Sequence, residues 1–192
     1  DLAAWVNANF SVFMLINNAG MGGTQKFDEA TAEYISKIIE VNVDDKGIDI
    51  DAIERICKRK KIDAVYVIPH HHYPTTVTLS VERRVKLLEL SKQFSFAIIE
   101  DDYDYDYHYT SSPYLPLASG NHNGNVIYIG SFSKILDPAL RIGFMVAPKN
   151  FIKQCTAFRK IIDVGGDGYM QSALASLIKE GELKRHIKKA KK

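Results

Sequence analysis

A chain of 192 residues, 46% hydrophobic and 25% charged with a formal net charge of +2, carries enough apolar mass for a real core. That composition excludes the intrinsically disordered, collagen-like and coiled-coil classes. No apolar run reaches the roughly 18–20 residues that span a bilayer, and the opening Asp1-Leu2-Ala3-Ala4-Trp5 lacks the basic start of a signal peptide. A cytoplasmic protein without membrane association is therefore expected. The two cysteines, Cys57 and Cys155, lie far apart and read as buried or half-buried thiols in a reducing compartment. Near-neutral charge argues against nucleic-acid binding. The basic tail over residues 184–192 is the exception, and it reads as a solvated helix face.

Short β-branched runs alternate with longer amphipathic stretches along the chain. A strand is expected over residues 12–17, a helix over 28–36, a second strand over 38–43 and a helix over 50–59. Strands over 64–68 and 96–100 flank a helix over 81–93, whose Ser80 reads as an N-cap with Glu82 in the first turn. Val81, Val85, Leu87, Leu88 and Leu90 give that helix one apolar side. Residues 103–124, rich in Tyr, Asp, Ser, Pro, Asn and Gly, read as a long loop. Strands over 126–129 and 143–147 and helices over 151–161 and 171–189 complete the pattern. Strands this short and apolar suit burial on both faces of a parallel sheet. The alternation implies a single α/β domain over 1–192, a three-layer α/β/α arrangement around a mostly parallel sheet with right-handed crossovers.

Such sheets place ligand groups at the carboxyl ends of their strands. Those ends carry Asn17-Asn18-Ala19-Gly20, His70-His71-His72-Tyr73-Pro74, Asp101-Asp102-Tyr103 and Ser131-Phe132-Ser133-Lys134. A lysine just past a buried strand is badly placed for solvation, and desolvation makes an amine a usable nucleophile; a surface lysine is the plainer alternative. The acids Glu100, Asp101 and Asp102 cannot all be buried as anions without partners. One of them facing a cationic ring nitrogen, a metal-binding cluster and a solvated turn all remain open on the residues alone. Consecutive histidines on an extended segment point to alternate sides, so His70, His71 and His72 do not converge on one ion, and no metal site is expected.

Taken together, residues 41–54 (VNVDDKGIDIDAIE), 65–91, 98–109 (IIEDDYDYDYHY), 125–148 (NVIYIGSFSKILDPALRIGFMVAP) and 171–189 resemble the fold-type I PLP-dependent aminotransferases, in particular the aminotransferase-like domain of MocR/GntR-type regulators. The resemblance implies pyridoxal 5'-phosphate (PLP) as cofactor and assigns roles. Lys134 matches the lysine of the internal aldimine and Asp101 the partner of the protonated pyridine nitrogen. Tyr103 matches the residue that hydrogen-bonds the phenolic oxygen, and Ser131 and Arg141 match phosphate ligands. Tyr73 stands where many relatives carry Asn before the proline.

Residues 1 to about 40, chiefly 13–24 and 27–35, instead resemble short-chain dehydrogenases around their Asn-Asn-Ala-Gly motif, without that family's Gly-rich fingerprint or Tyr-x-x-x-Lys pair. The combined expectation is a chimera, natural or engineered. A Rossmann-like strand–helix unit is joined near 38–43 to a truncated PLP-transferase large domain that lacks the winged helix, the small domain and the early phosphate loop. Such a chain would bind PLP with little or no turnover, or serve as a non-catalytic scaffold. No nucleic-acid partner is expected. Apolar residues left uncovered by truncation, among them Leu174, Leu177, Ile178 and Leu183, would favour homo-oligomers.

Overall fold

The computed structural model describes residues 14–15, 47–72, 75–106, 114–163 and 168–191. The helix expected over 28–36, the strand over 38–43 and Tyr73 lie outside the described residues. The chain divides into two compact units, Asp1–Asp102 with Tyr114–Tyr128, and Tyr103–Pro113 with Ile129–Lys192.

In the first unit the strands β1 (Met14–Leu15), β2 (Ala64–Val67), β3 (Ala97–Asp102) and the first half of β4 (Val126–Ser131) lie side by side in that order. β1 runs parallel to β2 with Leu15 opposite Val65, and β2 parallel to β3 with Val65 opposite Ile98. This is the mixed α/β architecture with a mostly parallel sheet that the pattern implies. Along β2 and β3 fully buried residues alternate with half-buried ones, so both faces are covered, though unequally. β3 runs two residues further than the apolar pattern indicates, because Asp101 and Asp102 find partners within the unit.

Helix α1 (Ile50–Cys57) starts where the Asp49 carboxylate accepts the Ala52 N–H at 2.9 Å, and it buries Ile50, Ala52 and Ile53. Helix α2 (Val81–Phe94) is capped by Ser80, whose hydroxyl accepts the Arg83 N–H. Its buried face differs from the expected one. Arg84, Leu87, Leu90 and Ser91 are inside, whereas Val81 and Val85 are about half exposed. Val85 sits one residue past Arg84, about 100° round the helix, and that rotation carries it off the stripe facing the core. Ile53, Val65, Leu87, Phe96, Ile98, Leu117 and Val126 form the centre of the core.

Among the described residues of this unit, Thr76, Ser95 and Asn123 take positive φ without being glycine, and Thr76 is the β-branched one. Thr76 has φ 58°, a left-handed conformation that a β-branched side chain resists. Its N–H donates to the His72 carbonyl at 2.6 Å, which holds the turn in place. Thr76→Gly is expected to stabilise the fold by about 0.5–1 kcal/mol, read as a higher urea midpoint at unchanged slope.

The second unit contains the rest of β4, strand β5 (Gly143–Val146) beside it, and helices α3 (Lys149–Asp163), α4 (Gly168–Lys179) and α5 (Glu182–Ala190). Two expectations are corrected here. β5 is not a buried strand: all four of its residues are exposed, Phe144, Met145 and Val146 among them. Nor is the last helix continuous. It breaks at Glu180-Gly181, where Gly181 takes φ 74°, a conformation open to glycine. Leu174 is buried, whereas Leu177 and Ile178 are exposed. Cys57 and Cys155 are free and half-buried, and burial pushes both thiols up, so both stay protonated near neutral pH.

Candidate functional site

The three consecutive acids on β3 alternate between its faces, and each finds a different partner within the first unit. Glu100, fully buried, accepts the Leu117 N–H at 2.7 Å and the Ala118 N–H at 2.9 Å. Both donors open a 3-10 turn, Leu117–Ser119, inside the stretch expected to be plain loop. Asp101, on the opposite face, accepts the Tyr66 hydroxyl from the neighbouring strand. Asp102 is buried, 2.9 Å from His70 Nδ1, and accepts the Tyr128 hydroxyl at 3.2 Å. The other His70 nitrogen lies 2.6 Å from the Tyr114 carbonyl. His72 Nδ1 is 2.6 Å from Thr75 Oγ1, and burial pushes its imidazole down, towards the neutral form. Among the described residues no group of three His, Cys, Asp or Glu side chains is placed to hold a metal ion.

In the second unit, the segment after Asp102 and the turn after β4 border an open cavity of about 310 Å³ lined by Tyr103, Ser131, Ser133, Lys134, Arg141, Ile142 and Gly143. Four of the residues singled out from the sequence, Tyr103, Ser131, Lys134 and Arg141, therefore share one wall system. Lys134 Nζ lies 4.1 Å from the centre of the Tyr103 ring and 3.7 Å from Asp104 Oδ2. Of the two readings of this lysine, a poorly solvated amine and a surface lysine, the second describes it, since the Lys134 side chain is 52% exposed. Its turn leaves the sheet beside the exposed strand β5, and water reaches the ammonium there.

The cavity is shaped by close backbone approach. A methyl group on Gly143 would stand 2.9 Å from the Gly130 carbonyl oxygen, and one on Gly130 would strike the Phe144 ring. Arg141 follows a 3-10 turn, Pro138–Leu140, and is held at φ 50°. That conformation costs a non-glycine residue roughly 1–2 kcal/mol, and here it accompanies the place of Arg141 on the cavity wall. The Ser133 N–H donates to Ser131 Oγ at 3.1 Å and folds the turn that presents Lys134. Sequence reasoning passed over Asp104, Ile142 and Gly143. Asp104 stands one residue beyond Tyr103 at a strand tip, a signal that was there to be used. Asp101 belongs to the first unit, on Tyr66, and Tyr73 lies outside the described residues.

The sequence profile described as aminotransferase class I and II matches residues 25–192. The chain belongs to that family. Among similar proteins, aromatic-amino-acid aminotransferase 1 of Thermococcus litoralis is 32% identical over 84% of this chain and 40% of its own length. The uncharacterized HTH-type transcriptional regulator YdeL of Bacillus subtilis is 35% identical over 81% of this chain and 33% of its own. Of solved structures, the kynurenine aminotransferase of Pyrococcus horikoshii superposes with a TM-score of 0.74 at 31% identity, over 78% of this chain and 38% of that one. The α-aminoadipate aminotransferase LysN of Thermus thermophilus, complexed with N-(5'-phosphopyridoxyl)-L-leucine, gives 0.71 at 26% identity over 77% and 39%. The aminotransferase relatives and the transcriptional regulators thus share this segment, which spans about 30–40% of the length of the first curated relatives.

Proposed function

We propose that this chain is the PLP-binding segment of an aminotransferase-like protein, with Lys134 as the residue that captures the cofactor covalently. One observation carries the reading: Lys134, two serine residues and Arg141 line a single cavity of about 310 Å³, near the lower end of the roughly 300–1,000 Å³ typical of small-molecule sites. These groups suit a phosphorylated aldehyde. Lys134 offers the amine, Ser131 and Ser133 offer hydroxyl groups, and Arg141 offers a forked, permanently charged group for phosphate. The Tyr103 ring stands over the amine at 4.1 Å, and family resemblance assigns its phenol to an oxygen on the ligand ring. Asp101 is the carboxylate assigned to the pyridine nitrogen by family resemblance. When bound, PLP supplies an electron sink for bonds at the α-carbon of an amino acid.

Adding PLP to the full chain is expected to produce an absorbance band at about 410–430 nm, and borohydride is expected to fix the label on the peptide containing Lys134. Lys134→Ala should abolish both signals, and an unchanged spectrum in that variant would remove the lysine from the proposal. Transaminase turnover is expected to be low, because Lys134 is half exposed and water competes at an open site.

The half-exposed amine also favours a second reading, a non-catalytic α/β scaffold, whose unfolding PLP would not shift. For residues 1 to about 40 the finer reading, a dehydrogenase-like unit in a natural or engineered chimera, rests on Asn17-Asn18-Ala19-Gly20 and its neighbours. The family match begins at residue 25, inside that stretch. A cytoplasmic site agrees with two free thiols, and no helix among the described residues is long and apolar enough to cross a membrane. The exposed side chains of Phe144, Met145, Val146, Leu177 and Ile178 favour self-association rather than nucleic-acid binding.

A further inference from the structure

The turn that carries Lys134 is held from several sides. The Phe132 N–H donates to the Ile142 carbonyl at 3.0 Å, which ties the start of the turn to the chain entering β5. The Leu136 N–H donates back to the Phe132 carbonyl at 2.9 Å and closes it. The Ser133 N–H is taken by Ser131 Oγ. These bonds come from residues close by in the chain or from the adjacent strand. One further bond comes from 51 residues away: His186 Nε2, on α5, lies 2.8 Å from the carbonyl oxygen of Ile135, the residue after Lys134. A carbonyl only accepts, so His186 is the donor and its Nε2 carries the hydrogen.

That contact gives the helix break a purpose. A helix continued straight from Lys179 would carry residue 186 about 10 Å further along the α4 axis. Gly181, at φ 74°, turns the chain instead, and α5 starts in the new direction with the Arg185 N–H on the Gly181 carbonyl. The Ile135 side chain is buried, so its peptide is anchored on one side by packing and on the other by the imidazole. Phe132 and Ile142 tether the opposite end of the same turn. The lysine is thus carried on a peptide clamped at both ends.

We infer that His186 is a positioning residue for Lys134, acting through the Ile135 carbonyl, and that the break at Gly181 exists to deliver it. The inference rests on the proposed role of Lys134, yet it makes a claim about the turn that can be measured without cofactor. Losing the donor frees the carbonyl end of the turn, and the amine spends less time where a ligand in the cavity meets it.

The test compares wild type, His186→Ala and His186→Gln in the full chain, Gln retaining a side-chain N–H donor. Without PLP, hydrogen exchange followed by mass spectrometry is expected to run about tenfold faster across residues 133–136 in His186→Ala, with protection of α4 unchanged, and to return towards wild type in His186→Gln. With PLP, the rate of covalent capture at Lys134 should fall about tenfold in the Ala variant and recover in the Gln variant. Wild-type exchange over 133–136 in His186→Ala, or equal loss in both variants, would overturn the inference. If wild type itself captures no PLP, the cofactor reading fails by that result, and the exchange comparison still decides the role of His186.

Discussion

Arg84→Leu is expected to destabilise the first unit by about 3–5 kcal/mol. Arg84 is 5% exposed, on the inner face of α2. Its Nε donates to the Leu79 carbonyl at 2.8 Å, one terminal nitrogen to the Leu115 carbonyl at 3.1 Å, and the other to the Pro69 carbonyl at 2.7 Å. The Tyr114 ring lies 5.4 Å from the guanidinium carbon. One side chain thus joins the segment leaving β2, the approach to α2, and the stretch leading to the 3-10 turn. Pro69 keeps a second donor in the Leu79 N–H at 2.9 Å, but the bonds Arg84 makes to Leu79 and Leu115 would be lost. Leucine fills much of the volume and replaces none of the bonds. Lysine has a single donor centre and cannot span three carbonyls, so Arg84→Lys should recover only part of the loss. Urea unfolding of the three proteins measures both differences, and equal midpoints for wild type and Arg84→Leu would contradict the clamp.

The second large effect concerns Glu100. Glu100→Ala is expected to cost about 3 kcal/mol, because it removes the acceptor for two main-chain donors, those of Leu117 and Ala118, and leaves a void in a sealed site. Its pH dependence has a defined sign. Burial pushes the Glu100 carboxyl above the ordinary glutamate value of 4.5; the two amide donors oppose the shift, the nearby Asp102 adds to it, and Arg84 opposes it. A native state that holds the proton more tightly than the unfolded chain is favoured by acid. The contribution of this group is therefore full below the ordinary glutamate range and is lost as pH rises through the raised native value. The stability of wild type minus that of Glu100→Gln should grow as pH is lowered from neutral through that window, because glutamine does not titrate. A difference that shrinks on acidification would show that the two amide donors and Arg84 outweigh burial.

Much of the candidate site was legible because its parts sit at strand tips, a property of chain order. Tyr103, Ser131, Lys134 and Arg141 follow the apolar runs that become β3 and β4, and all four line the cavity. Asp101 and Asp102 are strand-end acids to which the sequence gives no partner within the protein, family resemblance assigning Asp101 to a cofactor ring nitrogen. The partners come from residues distant in sequence: Tyr66 on β2, His70 beyond it, and Tyr128 on β4. No local pattern encodes such pairs. The same holds for His186, whose role depends on a bond spanning 51 residues and on a helix break that the apolar periodicity of 171–189 conceals.

Composition and periodicity by themselves determined that this is an α/β protein with a mostly parallel sheet, and where most of its described strands and helices lie. Hydrophobic spacing and capping act over a few residues, so they can be read along the chain. Only the tertiary structure decided which face of α2 is buried, that β5 is exposed, that Lys134 is half solvated, and how each buried acid is satisfied. Burial and the pairing of charges depend on which segments meet, and that is set by packing between residues tens of positions apart.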